Sequence, residues 1–269
     1  MPNRIPAELL NARFVLLALL FLAPLANAEP VVAIIIDDIG YRPAEGRRAA
    51  MLPGPVALSV LPHSPHGKRL ARLGQDSGKE IFLHQPLESV GDEVQGAGGI
   101  FLDTTRAELN AIFRRNLEAL PPVVGVTTHM GSLLTRHPGH MQWLVDEIKS
   151  ADIGFFVDSR TTPRSVALSI ARESGVQSVG RDIFLDRDPT PAAIASQFEQ
   201  LKSRAARKGY ALALGHPYPE TMEFLETALT SLEKEGLRLV SVTDLVAAAY
   251  KEDPSWQAYS YRSQTVLKK

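Results

Sequence analysis

The stretch VVAIIIDDIG, residues 31–40, runs six apolar residues into two adjacent carboxylates, Asp37 and Asp38. Other apolar runs end on the same kind of chemistry. EIFLH closes on His84, with Glu88 four residues later; VVGVTTH closes on His129; GFFVDS carries Asp158; YALALGH closes on His216. The chain has seven histidines and no cysteine, so thiolate ligands, disulfides and a cysteine nucleophile are excluded. Imidazole and carboxylate suit zinc or another divalent transition metal. Such an ion acidifies a water to a pKa of about 7 and polarises a carbonyl. One aspartate can ligate the ion and its neighbour can take the water's proton. A histidine on the opposite wall can protonate a leaving amine. The set is complete for metal-assisted amide hydrolysis.

Plainer readings apply to other positions. An aspartate just after a strand is commonly a turn or helix-cap residue, and Asp186 in FLDRDP is read that way. His137 and His140 in TRHPGH read as surface residues at a helix start. His63 and His66 in LPHSPH have an i, i+3 spacing that suits either a metal or a loop. Asp37 and Asp158 as paired carboxylates would suit glycoside hydrolysis, but that leaves the histidines without a role.

The elements that position these residues recur along the chain. Short apolar, β-branched runs begin at residues 31, 56, 80, 123, 154, 177, 210 and 237. They lack in/out alternation, as strands buried on both faces do. Helical segments lie between them. TTRAELNAIFRRNLEALP opens on a threonine cap and puts Leu109, Ile112, Phe113, Leu117 and Leu120 on one face. TPAAIASQFEQLKSRAARKG runs from Thr-Pro to Gly209, and PETMEFLETALTSLEKEG runs to Gly236. Alternating strands and helices mean parallel β/α units. The expected fold is α/β: a (β/α) barrel of about seven strands, TIM-like, closed or incomplete. A doubly wound open sheet is the alternative. In the barrel, all the strand ends share one face, and that face carries the active site.

Composition sets the bounds. A chain of 269 residues, 45% hydrophobic and 22% charged, suits one large globular domain. A net charge of -1 argues against a nucleic-acid partner, since phosphate binding usually needs a basic face. The first 28 residues pair an arginine-bearing start with the apolar run FVLLALLFLAPLANA, ending in a small-x-small site at Ala26–Ala28. This matches a secretory signal peptide cleaved after Ala28, hence a secreted or periplasmic protein. The apolar run is too short for the roughly 20 residues of a bilayer span, so no stable membrane span is expected after cleavage. The domain is expected over residues 29–250, and 251–269 reads as a polar tail.

Taken together and in order, IIIDDIG, EIFLHQPLE, THMGSLLT, FFVDSRTT and ALGHPYPET resemble the blocks of the divergent polysaccharide deacetylases. These are remote relatives of the carbohydrate-esterase deacetylases of chitin and peptidoglycan. The resemblance spans roughly residues 30–250 and implies a barrel of about seven strands. It implies Asp37 as catalytic base, Asp38 and His84 as metal ligands, and His216 as general acid. Glu88 stands where relatives carry a second ligand histidine. The Arg-x-Pro-Tyr motif of relatives is absent, and TTHMGS occupies that strand, so His129 is the expected third ligand. Ser132 is placed to contact substrate, and Asp158 with Arg160 to support the site. The implied activity is removal of N-acetyl groups from a polysaccharide or peptidoglycan strand, with zinc as the expected ion. The alternative is a non-catalytic carbohydrate-binding or wall-associated protein that keeps the barrel.

Overall fold

The computed structural model describes residues 29–91 and 94–252. The segment read as a signal peptide and residues 253–269 of the tail lie outside the described residues. The strands are β1 (Val31–Ile39), β2 (Ala57–Val60), β3 (Ile81–Leu87), β4 (Gly125–Met130), β5 (Phe155–Asp158), β6 (Gln177–Gly180), β7 (Ile183–Phe184), β8 (Tyr210–Gly215) and β9 (Arg238–Leu239). The helices are α1 (Pro43–Met51), α2 (Gly67–Asp76), α3 (Arg106–Glu118), α4 (Pro138–Ser150), α5 (Ala167–Glu173), α6 (Pro191–Lys208), α7 (Pro219–Ala228) and α8 (Val242–Glu252).

The strands form one parallel sheet in the order β6-β5-β4-β3-β2-β1-β8-β7, and β9 adds a short pairing at the start of β1. Only Arg181 and Asp182 separate the two edge strands, β6 and β7, along the chain. Eight strands laid flat would hold those edges roughly 30 Å apart, whereas so short a link spans at most about 11 Å. The sheet therefore curls into a barrel. The link bridges the seam through its backbone: the Arg181 N–H donates to Asp158 O at 3.0 Å and the Asp182 N–H to Leu212 O at 2.9 Å. The barrel expectation holds, with two local corrections to its strands. QSVGRDIFLD, read as one run, is two strands broken at this seam. LRLVSVTD shrinks to the two residues of β9, because Val242 already begins α8.

Two apolar cores follow from strand alternation. Val32, Ile34 and Ile36 of β1 face outward onto a shell that includes Leu70, Phe113, Leu144, Phe198 and Leu225 of the helices. Val31, Ala33 and Ile35 face inward with Ala57, Phe82, Val157, Leu212 and Leu214. Each fully buried side chain of this size contributes about 1.5–3 kcal/mol. Helix α8 sends Val242, Leu245, Val246 and Ala249 into the inner core. Its first amides are capped by Glu80, whose carboxylate accepts from the Val242 N–H at 2.9 Å. The barrel is thus plugged near the start of β3 and open at the opposite, C-terminal end.

Local signals explain most helix ends. Thr105 forms a capping box with Glu108 at the start of α3, and Leu109 and Phe113 are buried beneath it. Gly209 ends α6 with φ at +83°, a left-handed turn that glycine adopts without strain. The long helix expected to run to Gly236 is instead α7 followed by a single 3-10 turn at Leu232–Glu235. Helix α8 continues through Glu252, past the expected domain end at residue 250.

Candidate active site

The site is built by continuing the inner rows of side chains by one step. Inner positions climb each strand two residues at a time. After Ile35 comes Asp37, after Ala57 comes Ser59, after Phe82 comes His84, and after Leu214 comes His216. The inner row of each of these strands turns polar toward the end where barrels carry chemistry. Strand β4 supplies two such residues, Thr127 and His129. Asp38 breaks the alternation that would send it outward. Its φ is +56°, and the β1–β2 register slips there: Ile36 opposes Leu58 but Ile39 opposes Val60. Three residues of β1 stand against two of β2, a bulge that re-aims one side chain. Aspartate tolerates this left-handed backbone better than most residues.

Asp38, His84 and His129 converge. The Asp38 Oδ1 atom lies 2.8 Å from His129 Nδ1 and 3.1 Å from His84 Nε2, and the two nitrogens are 3.2 Å apart. Atoms at ligand distance from one zinc ion stand roughly 3 Å from each other, so the triangle has the size of one face of a coordination shell. Asp38 Oδ1 is buried and receives no well-directed hydrogen bond. His84 Nδ1 bonds Thr127 Oγ1, which in turn bonds Ser59 Oγ at 2.6 Å. That bond orients the ring so that Nε2 faces Asp38, as outer-shell partners orient ligand histidines. Burial opposes charge on Asp38, but the His129 and His84 imidazoles outweigh it and hold the carboxyl well below its usual range. These residues fit a divalent cation.

Two further groups flank the triangle. Asp37 is buried, with Oδ1 at 3.6 Å from His84 Nδ1. Burial raises its pKa, against the opposing pull of His84 and His216. On the other side, His216 Nε2 lies 3.8 Å from Asp38 Oδ2, and Nδ1 lies 2.9 Å from Asp186 Oδ1. Asp186 Oδ2 accepts from the His216 backbone N–H at 2.6 Å and from Thr221 Oγ1 at 2.8 Å. Burial works against the imidazolium. The Asp186 hydrogen bond and the charges of Asp38, Asp186 and Asp37 overcome it and raise His216 to about 9. At neutral pH His216 is therefore a cation that can give up the Nε2 proton.

The model of the divergent polysaccharide deacetylase family matches residues 34–246. The chain belongs to that family. A family so described implies a polysaccharide substrate. An uncharacterized protein of Haemophilus influenzae is 32% identical over 218 residues, covering 81% of this chain and 77% of its own length. Among solved structures, an uncharacterized protein of Agrobacterium tumefaciens superposes with a TM-score of 0.75 at 21% identity, covering 81% of this chain and 89% of its own. The peptidoglycan deacetylase PdaC of Bacillus subtilis superposes with a TM-score of 0.51 at 12% identity, covering 88% and 98%. At these identities the structural likeness is one of fold.

Other residues singled out from the sequence lie outside the triangle of this deacetylase-family barrel. Glu88 is not part of the triangle: its Oε2 accepts the Leu102 N–H at 2.6 Å, beside Phe101 and Asp103. The chain turns away after β3, so the side chain pins the following loop. Ser132 does line the cavity of about 530 Å³ that contains Asp37, His84 and His216, and its Oγ accepts the Val90 N–H at 2.9 Å. Asp158 follows inward-facing Val157 and so points outward, where it accepts from the Arg160 N–H and Ser165 Oγ, both at 2.8 Å. Arg160 lies against the Gly180 backbone on that same outer side. These two residues hold the loop after β5 and do not enter the cavity. His63 lines the mouth of the site with Asp38, His129 and His216 and bonds Asn116 Oδ1 at 2.8 Å, whereas His137 and His140 sit at the start of α4. Asp182 is paired with Lys208.

Asp186 lies in the turn after β7, as expected, but sequence reasoning missed its role as the buried partner of His216. The signal lay in register: β7 pairs Phe184 with Leu214, which carries Asp186 alongside His216 two residues later.

Proposed function

We propose that the protein is a secreted, metal-dependent hydrolase that removes N-acetyl groups from an envelope polysaccharide or peptidoglycan strand. The observation that supports this most is the flanking of one Asp38–His84–His129 triangle by a buried carboxylate, Asp37, and an imidazole, His216, whose Nδ1 is held by Asp186. In this reading Asp38, His84 and His129 hold a divalent ion, zinc by the chemistry of its donors. The ion, when bound, acidifies water and polarises the acetamide carbonyl. Asp37 takes the attacking water's proton, since its raised pKa makes it a better base than an exposed aspartate. His216 gives its Nε2 proton to the amine as the C–N bond breaks, and Asp186 stabilises the charged ring beforehand. Thr127 keeps His84 in the tautomer that presents Nε2.

Acetate release from N-acetylated glycan oligosaccharides tests the reading. Zinc-loaded protein should release acetate, and chelator-treated protein should not until zinc is restored. Equal release with and without chelator, or none from any N-acetylated glycan, would overturn it. Export is tested separately by sequencing the amino terminus of the protein from the producing cell, which should begin at Glu29. No described helix is long and apolar enough to cross a membrane.

A further inference from the structure

The cavity has one wall that the hydrolytic mechanism does not use. Phe184 of β7 touches His216, with ring centroids 5.2 Å apart. On the same Phe184 ring lie two guanidiniums, Arg181 at 4.8 Å and Arg187 at 5.8 Å from the centroid. Both arginines line the cavity together with Asp37, His84 and His216. Arg181 is partly buried and is held by carbonyls only: Nε donates to Ser159 O at 2.7 Å and Nη2 to Arg160 O at 2.8 Å. Carbonyl acceptors orient a guanidinium without neutralising it. Arg187 makes no hydrogen bond and no ion pair among the described residues. Two of the nearby carboxylates are committed elsewhere, Asp186 to His216 and Thr221, and Asp38 to its two imidazoles, while Asp37 acts on Arg181 through its charge without a hydrogen bond to it. One guanidinium held by carbonyls and one free to adapt, both on the same wall, are complementary to a planar anion, which guanidinium binds through paired, charge-assisted hydrogen bonds. Burial and the neighbouring Arg187 lower the Arg181 pKa, against the opposing charges of Asp37 and Asp158.

We propose that Arg181 and Arg187 recognise a carboxylate carried by the saccharide unit next to the acetamido sugar. The substrate would then be an acidic glycan and not a neutral one. The position of the acetamido sugar rests on the deacetylase reading; the anion site does not. The carboxylate can belong to a sugar ring, as in a uronic acid, or to an ether-linked lactyl group, as in N-acetylmuramic acid.

Binding measured by calorimetry separates these cases. The probes are a neutral chitin tetrasaccharide, a tetrasaccharide alternating N-acetylglucosamine with glucuronic acid, and a peptide-free strand alternating N-acetylglucosamine with N-acetylmuramic acid. At least one acidic probe should bind the wild-type protein about tenfold more tightly than chitin, a difference of about 1.4 kcal/mol. Which acidic probe is preferred identifies the source of the carboxylate. The preference should disappear in Arg187→Gln and in Arg181→Gln, and should shrink as salt is raised. Arg187 is exposed, so its variant remains informative if Arg181→Gln, at the barrel seam, fails to fold. Equal binding of neutral and acidic probes, no binding of either, or a preference that survives in Arg187→Gln would overturn the proposal. Acetate release assayed in parallel keeps the two readings apart. Release without the preference removes the anion site alone, whereas the preference without release removes the deacetylase reading alone.

Discussion

Asp37 and Asp38 are consecutive residues of one strand, yet both carboxylates face the same cavity. A regular strand would place them on opposite faces of the sheet. The bulge at Asp38, with φ at +56° and the β1–β2 slip between Ile36 and Ile39, removes that constraint. It leaves Asp37 deep beside His84 and brings Asp38 Oδ1 between two imidazoles. Asparagine also tolerates the left-handed backbone. Asp38→Asn should therefore fold normally while its affinity for zinc falls by about 100-fold or more, since an anionic ligand is lost. An affinity equal to wild type, measured by competition with a chelating dye, would remove Asp38 from the ligand set.

Asp37→Asn separates proton transfer from ion binding. The variant should hold as much zinc as wild type and lose about 10²–10⁴ in kcat, the usual worth of a positioned general base. Loss of zinc in parallel with activity would instead make Asp37 a ligand.

Asp186 sets the charge of His216. The folded-state pKa of about 9 lies above the ordinary 6.5. The charged ring therefore stabilises the fold fully below about pH 6.5, and that contribution is lost as pH rises through about 9. In ion-free Asp186→Asn, the His216 ring resonance followed by NMR should titrate well below 9. The decline of stability between these two pH values should flatten with it. A titration unchanged from wild type would show that Asp186 does not hold the proton in place.

Thr127→Val keeps the shape of the inner row but deprives His84 Nδ1 of its partner. The ring is then free to take the other tautomer, and zinc affinity should fall by about 10–100-fold, as for other outer-shell losses. Unchanged affinity would assign Thr127 to packing alone.

Much of this arrangement is legible in the chain because strand ends are marked twice. In β1, β3, β4 and β8 an apolar run stops at an Asp or His, and the parallel topology sends all four stops to one end. Three features were not legible. The left-handed turn at Asp38 has no local sequence mark, because aspartate is permitted there but not required. Asp186 sits in FLDRDP, a sequence with the composition of a turn, and its role depends on pairing β7 with a strand about 30 residues away. Glu88 occupies a spacing that suggests a ligand, but the backbone after β3 turns it toward Leu102. In each case long-range register or local backbone torsion decides where the side chain points, and residue type does not encode either.

The most direct test of the account is the binding of zinc to the chelator-stripped protein, titrated calorimetrically. The Asp38–His84–His129 triangle predicts a single tight site with a stoichiometry near one ion per chain, abolished or severely weakened in Asp38→Asn. Absence of a tight site in the folded wild-type protein, or an equally tight site in Asp38→Asn, would contradict it.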